Sequence, residues 1–168
     1  MSTPYARPRS RVELEKFALA IREKLCPNQM YFDIIRFVEV VLTTLDPSFG
    51  YEYVSESEMP NNTYAYYNPT TNIMRIADNV YERACSDIGR DRFTIAHEVA
   101  HYFLHRGSIA FTRSESIPKY CDPEWQANVF ASALLIPHDR IQKLSVTEIS
   151  NKCKVSYQAA EIAKRNLA

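Results

Sequence analysis

The sequence predicts a small α+β domain in which a short antiparallel sheet packs on helices. Three observations support this fold class. Apolar residues recur at intervals of three and four along several segments, as on one face of an amphipathic helix. A stretch rich in tyrosine and threonine between residues 49 and 77 has the short alternations of strands. With 46% hydrophobic and 24% charged residues over 168 positions, the chain has the composition and length of one ordered domain.

Two helices are predicted before the strand region. Ser10 and Glu13 form an S-x-x-E capping box ahead of a helix over about residues 11–25. Apolar positions spaced by three and four predict a second helix over about residues 31–45, which ends at Asp46 because a proline follows.

The strand region is expected to fold as a hairpin. Residues 68–71, with the sequence NPTT, predict a turn between the runs TYAYY and NIMRIA. A short helix follows as far as Cys85, with Asp78 or Asn79 as its cap. A long apolar helix is then predicted over about residues 91–105.

Another helix is predicted after a loop over residues 106–122. Asp122 supplies an N-cap, Pro123 a first-turn proline and Glu124 an acid near the helix start. The run that follows, WQANVFASALLI, ends at Pro137.

The chain divides into three segments. Residues 1–9 contain two prolines and two arginines without a hydrophobic period, so we expect a flexible lead-in. Residues 10–140 form the predicted domain. Residues 141–168 have the spacing of two short helices joined at 154–156, similar to the second half of a helix-turn-helix, and we expect them to pack on the domain.

Charge and cysteine content exclude several classes of protein. The 20 basic and 20 acidic residues give no overall attraction to nucleic acid or anionic lipid, and the tail has no dense basic stripe, so we do not expect direct nucleic-acid binding. The longest apolar stretches fall short of the roughly 20 residues of a membrane-crossing helix.

The four cysteines are far apart and follow no secretion signal, which predicts reduced thiols and a cytoplasmic location. The oligomeric state is not indicated by the sequence.

A metal-binding pattern, HEVAH, lies within the predicted long helix. Residues four apart on a helix face the same way, so His97 and His101 can direct imidazole nitrogens at one ion. Glu98 projects about 100° away around the axis, next to the place of a water on that ion. It could accept a proton from this water and later donate it to a leaving amine. The pattern therefore predicts one Zn²⁺ per chain, with Glu98 as the general base of a peptidase; the alternative is a pair of hydrogen-bonded histidines without a metal.

A third metal ligand has to come from another helix. Glu124 is the best candidate, because Ala127 and Ala131 continue its face with small residues that let two helices approach closely. An acid in a first turn also favours the helix dipole, and spacing alone leaves both interpretations open. Cys121 is a weaker candidate, since a fourth protein ligand would close a catalytic site.

Two sequence blocks together resemble one known family. RDRFTIAHEVAHYFLH and EWQANVFASALLIP are similar to the motifs of the ImmA/IrrE metallo-endopeptidases, and the resemblance covers roughly residues 30–140. It implies a zincin-like fold with Glu124 as the third zinc ligand. Ala100 departs from the glycine common in the family, which puts no catalytic residue in doubt. The resemblance also implies cleavage of a helix-turn-helix transcriptional repressor, often encoded beside the protease in a prophage or other mobile element, and thereby relief of repression.

Three further residues could orient a ligand or touch a substrate. His105 continues the histidine spacing but lies about 12 Å along the axis from His97, too far to share its ion. The alternative is a partly exposed helix-end histidine that suits the dipole. Tyr66 could stabilise an oxyanion, although tyrosines on a sheet also simply pack on their neighbours. Asn128 lies on the predicted face of Glu124.

A function of another class is also compatible with the sequence. The zinc could stabilise the fold alone, and the protein would then be a regulatory module that binds a repressor or DNA without cutting it. Partner binding without proteolysis would distinguish this module from a peptidase.

Overall fold

The computed structural model describes residues 2–107, 109–113 and 116–167 and confirms the α+β fold class. In these residues the strands are β1 (Thr3–Tyr5), β2 (Gly50–Val54), β3 (Ala65–Asn68), β4 (Ile73–Ala77) and β5 (Ala110–Thr112). The helices are α1 (Arg11–Leu25), α2 (34–45), α3 (Asp78–Cys85), α4 (Gly89–His105), α5 (Pro123–Leu135), α6 (Val146–Cys153) and α7 (Tyr157–Arg165). None of the helices in this part of the chain has the length and apolar character that a membrane span requires.

Side-chain caps fix the starts of α1 and of α5, the helix that carries Glu124. Ser10 accepts a hydrogen bond from the N–H of Glu13, whose carboxylate accepts one from the N–H of Ser10, so the capping box of α1 forms. At α5, Asp122 accepts from the N–H of Glu124, and Pro123 lies in the first turn. Helix α3 differs, because it starts without a side-chain cap and neither Asp78 nor Asn79 has that role.

Helix α2 is irregular at its centre. Its first and last turns are α-helical, at Ile34–Arg36 and Thr43–Leu45, whereas Phe37–Leu42 is π-helical. Phe37, Val38 and Leu42 are buried there, so the wider turn still directs apolar side chains into the core.

The three-stranded sheet has the order β2-β4-β3 and is mixed. Strands β3 and β4 form the expected antiparallel hairpin, with Ala65 opposite Ile76. Strand β2 adds a parallel pairing with β4, with Gly50 opposite Ile73. Alternation in the sequence indicates strands but not their neighbours, so this parallel pairing corrects the expectation of an antiparallel sheet. Strand β3 is left at an edge.

A second, two-stranded sheet involves the N-terminal segment. Strand β1 pairs antiparallel with β5, with Thr3 opposite Thr112, and the N–H of the buried Ala6 donates to the carbonyl of Cys121 at 2.8 Å. These pairings correct the expectation of a flexible lead-in and add a strand to the loop predicted over residues 106–122. The sequence does not indicate them, because the partner of each segment lies far away along the chain. Residue 1 of the predicted lead-in and residues 108, 114 and 115 of the predicted loop lie outside the described residues.

Helices α4 and α5 pack against each other in opposite directions at the centre of the molecule. His105 at the end of α4 contacts Gln126 near the start of α5, whereas His97, two turns earlier, contacts Asn128. Both helices carry fully buried alanines, which permit close approach. These alanines are Ala96, Ala100, Ala127 and Ala131.

Asp46 links the end of α2 to the hairpin and to α4. Its carboxylate accepts hydrogen bonds from Ser48 and Asn72 and from Tyr102 and Arg106, the last at 2.7 Å. These donors, Ser48 first, hold the pKa of Asp46 well below its usual range. Asp46 therefore stays ionised and connects three segments behind the site.

The two C-terminal helices dock on the first residue of α4. A Cβ at Gly89 would lie 2.4 Å from the backbone nitrogen of Ser156 and 2.4 Å from the carbonyl carbon of Val155. Only a residue without a side chain permits this approach. Ser156 also caps α7 by accepting from the N–H of Ala159. The start of α7 is thereby placed beside the start of α4.

Candidate metal centre

Three side chains from two helices converge next to the α4–α5 interface. The Nε2 atoms of His97 and His101 lie 3.0 Å apart. Glu124 places Oε2 at 3.1 Å from the His97 Nε2 and Oε1 at 3.4 Å from the His101 Nε2. Corners of a tetrahedron with a zinc ion at about 2.0–2.1 Å are roughly 3.3 Å apart. The three side chains therefore fit one such ion and leave a fourth position for another ligand.

The charges in this group suit a cation. Hydrogen bonds with His101 and His97 hold the pKa of Glu124 well below its usual range, so it is a carboxylate. Burial by itself would lower the pKa of His97, but Glu124 and the charge of Glu98 raise it overall. A metal ion binds only the unprotonated imidazole nitrogen, so metal binding at this group depends on pH.

The outer nitrogen of His97 has a partner that fixes the ring. Its Nδ1 lies 3.0 Å from Oδ1 of Asn128, which is one turn beyond Glu124 on α5. With Nε2 available to the ion, Nδ1 carries the hydrogen and donates it to the Asn128 oxygen. Asn128 thus lies where a residue that orients a metal ligand is required.

The outer nitrogen of His101 begins a longer chain of hydrogen bonds. Its Nδ1 lies 2.8 Å from Nδ1 of His105, whose Nε2 lies 3.0 Å from Oε1 of Gln126. The Gln126 amide nitrogen donates to the carbonyls of Tyr120, at 2.7 Å, and Arg7, at 2.9 Å. If His101 donates from Nδ1, then His105 accepts at Nδ1 and donates from Nε2 to the Gln126 oxygen. Each group in the chain of hydrogen bonds then has one consistent role.

This chain of hydrogen bonds requires a neutral His105. The side chain is only 4% exposed, and burial lowers its pKa to about 4, so it is uncharged at neutral pH. The alternative of a partly exposed helix-end histidine is therefore wrong. Gln126 is fully buried on α5 and has no place in the sequence-based prediction. Other polar residues lie on the same helix, so the sequence does not single out Gln126 or indicate its partner.

Glu98 faces the same cavity as the three candidate ligands. Its Oε2 accepts a hydrogen bond from the backbone N–H of Tyr67 on β3, at 2.8 Å. Burial raises the pKa of Glu98 above its ordinary value, a direction that suits a group which accepts and then donates a proton. The cavity has a volume of ≈ 320 Å³, and Tyr66 and His105 also line it.

The remaining predicted residues have different surroundings. Tyr66 is half-buried at the cavity wall, and its hydroxyl lies 3.4 Å from Nη1 of Arg75. Cys121 is buried and does not belong to the converging group of ligand atoms in the described residues.

Comparison with known proteins assigns the chain to a family. Residues 52–163 match Peptidase_M78, described as the IrrE N-terminal-like domain. The chain belongs to the Peptidase_M78 family. The match runs from within β2 to α7, so it includes Glu98, the three candidate ligands and most of the C-terminal helices. Membership in Peptidase_M78 confirms the ImmA/IrrE resemblance and supports a peptidase-like function associated with regulation.

One solved structure shares the fold of this Peptidase_M78 chain. It is described as a Mycobacterium tuberculosis transcriptional regulator and superposes with a TM-score of 0.58 at 16% sequence identity. The alignment covers 89% of this chain and 45% of that chain, so this chain spans less than half of the regulator. Among proteins with curated descriptions, none matches the sequence.

Proposed function

We propose that this Peptidase_M78 protein is a zinc-dependent endopeptidase that cuts a helix-turn-helix transcriptional repressor and so relieves repression. The observation that carries the proposal is the placement of Glu98 on the cavity into which His97, His101 and Glu124 direct three ligand atoms. Two imidazoles, one carboxylate and an open position are the donor set of a catalytic zinc site. The repressor substrate is supported by the family resemblance alone.

Glu98 has the position that a general base needs. Bound zinc would polarise the peptide carbonyl and make a coordinated water more acidic. One carboxylate oxygen of Glu98 is fixed by the Tyr67 N–H, and the side chain lines the cavity where it can accept the proton of the attacking water. The protonated carboxyl then donates to the departing amine, so one residue acts in both steps.

Strand β3 offers an edge on which a substrate segment could lie. It pairs with β4 on one side only, and the Tyr67 N–H points away from β4 toward Glu98. An extended peptide added along this edge would pass directly over the carboxylate. Tyr66, on the wall of the same cavity, is then placed to contact the substrate or its developing oxyanion.

The experiment compares zinc-loaded wild type with Glu98→Gln and with Glu82→Gln, a control that alters an exposed acid on α3. Each protein is incubated with helix-turn-helix repressors encoded beside its gene, and fragments are identified by mass spectrometry. Wild type and Glu82→Gln should give one discrete pair of fragments. Glu98→Gln should leave the repressor intact while retaining about one zinc per chain.

Two results would contradict the proposal. Cleavage by Glu98→Gln at the wild-type rate would remove Glu98 from the mechanism. A repressor that binds the wild type yet stays intact after long incubation would favour the regulatory module that binds without cutting.

A further inference from the structure

A second cavity, of ≈ 590 Å³, lies beside the metal centre between α4, α5 and α7. We call it the α4–α5–α7 groove. It is lined by Arg90, Phe93 and Thr94 from α4, Asn128 from α5, and Ala159 and Ile162 from α7.

The groove lies next to the metal centre and contacts it through Asn128. Asn128 lines the groove, and its Oδ1 lies 3.0 Å from Nδ1 of the candidate ligand His97. Thr94 precedes His97 by three residues on α4, which places it about one turn away on the same face. A chain bound over the metal centre therefore needs to extend by only a few residues to reach the groove.

The floor of the groove is apolar. Phe93 and Ala159 are partly buried and pack against the core, and Ile162 is 39% exposed. An apolar side chain seated here would remove Ile162 and the ring of Phe93 from water.

The charge at one end of the groove is positive. Arg90 is exposed, and its guanidinium lies 6.0 Å from the ring of Tyr64. Among the described residues it forms no ion pair, whereas the neighbouring Arg83 is paired with Asp91 at 2.8 Å. Arg90 is also the one charged side chain among those found to line the groove. It is therefore available to a carboxylate from outside the chain.

We propose that the α4–α5–α7 groove is a specificity pocket for the protein substrate. It takes an apolar side chain a few residues from the scissile bond, and an Asp or Glu of the same segment pairs with Arg90. This inference rests on the proposed function, because the groove is chosen for its position next to the proposed peptidase site. It assigns helix α7 to substrate binding, with its position fixed by the contact between Gly89 and Ser156.

Binding can be tested separately from cleavage. Peptides are selected from a phage-displayed random library on the zinc-loaded Glu98→Gln protein, which should bind substrate without cutting it. Affinities of the selected peptides are then measured for three further variants in this background: Arg90→Glu, Ile162→Ala, and the control Arg165→Glu on the same helix outside the groove lining. Zinc content and circular dichroism verify that each variant is folded and loaded.

The selected peptides should share an apolar residue next to an acid. Arg90→Glu and Ile162→Ala should each weaken binding about tenfold, and Arg165→Glu should leave it unchanged. Replacing the acid of the peptide by lysine should weaken binding to the parent protein and restore binding to Arg90→Glu. This exchange of charge shows direct pairing, which a general loss of folding cannot imitate.

The groove and the proposed function fail in different ways. Peptides without a common pattern, or with equal affinity for all three variants, would overturn the groove as a specificity pocket. Peptides that depend on the groove but are not cut by zinc-loaded wild type would retain it as a peptide-binding site and overturn the proposed peptidase function.

Discussion

The carboxylate of Glu98 accepts a hydrogen bond from the backbone N–H of Tyr67 at 2.8 Å, so the edge strand of the sheet positions the proposed base. The donor belongs to the backbone, and ordinary substitutions at residue 67 therefore leave it in place. The base depends on how the sheet packs against α4 as well as on the helix that carries it.

Removing this one donor should slow catalysis. In Tyr67→Pro the N–H is lost, while the pairing of β3 with β4 is retained because this N–H points away from β4. Tyr67→Ala is the matched control, since both variants lose the hydrogen bond from the Tyr67 hydroxyl to Asn72. We expect kcat for a cleaved peptide to be about tenfold lower in Tyr67→Pro than in Tyr67→Ala. Equal kcat values for the two variants would show that the hydrogen bond from the Tyr67 N–H to Glu98 has no role in catalysis.

The chain of hydrogen bonds behind His101 should set the affinity for the metal. Gln126→Leu removes the acceptor of the His105 N–H, which loosens the orientation of His101. We expect zinc affinity, measured by competition with a chromophoric chelator, to fall about 10- to 100-fold. Gln142→Leu, at an exposed position, should bind zinc as the wild type does. An unchanged affinity in Gln126→Leu would refute the proposed orientation.

Metal removal should destabilise the fold, because the candidate ligands come from two helices. Zinc at about a thousand times its dissociation constant adds roughly 4 kcal/mol to the free energy of unfolding. For a chain of this size, a chelator should then lower the Tm by roughly 10 °C in calorimetry. His97→Ala should show no such change with chelator. His138→Ala, which alters a histidine next to Glu15, should respond as the wild type does, and a loss of response there would place the metal elsewhere.

The contact at Gly89 should be sensitive to a single methyl group. Gly89→Ala puts a Cβ 2.4 Å from the backbone of Val155 and Ser156, where no flexible side chain can move aside. We expect a loss of about 1–3 kcal/mol in the free energy of unfolding, measured with urea. In the control, Gly50→Ala, the new Cβ meets a side-chain carbon of Ile73 at an ordinary 3.5 Å and should cost less. Equal losses would contradict the close approach.

The ionised Asp46 should give a pH-dependent stability. Its pKa is lowered in the folded protein, so its stabilising effect is fully present above the unfolded-state pKa of about 3.9 and is lost as the pH falls through the folded value. Asp46→Asn should therefore have a lower Tm than the wild type at neutral pH, and this difference should shrink below about pH 4. A difference that stays constant across this range would exclude ionisation as its cause.

Local features of the site could be predicted from the sequence. The placement of His97, Glu98 and His101 on one helix follows from apolar periodicity and the spacing of residues along a helix. The start of α5 followed from Asp122 and Pro123, because a cap depends on neighbours within one turn. The proposed role of Glu124 as third metal ligand depended on the family resemblance. Spacing alone could not distinguish a metal ligand from an acid that favours the helix dipole.

Pairings between distant segments could not be predicted. Strand β1 forms by pairing with β5, and the sequence of Thr3–Tyr5 does not indicate this partner. The parallel pairing of β2 with β4 could not be predicted for the same reason. Strand β4 comes after β3 in the sequence but lies between β2 and β3 in the sheet, and no local pattern indicates this order. The link from His105 through Gln126 to the carbonyl of Arg7 joins three parts of the chain that become neighbours only after folding.

The contact between Gly89 and residues 155 and 156 has a consequence for protein engineering. In a chimera, the C-terminal helices of one Peptidase_M78 member would replace those of another. Such a chimera would exchange the wall of the α4–α5–α7 groove that α7 forms. The graft should dock without loss of stability only where the recipient has glycine at the equivalent of residue 89, since a larger residue places its Cβ against the incoming backbone. The residue at this one position should therefore be checked before any chimera is made.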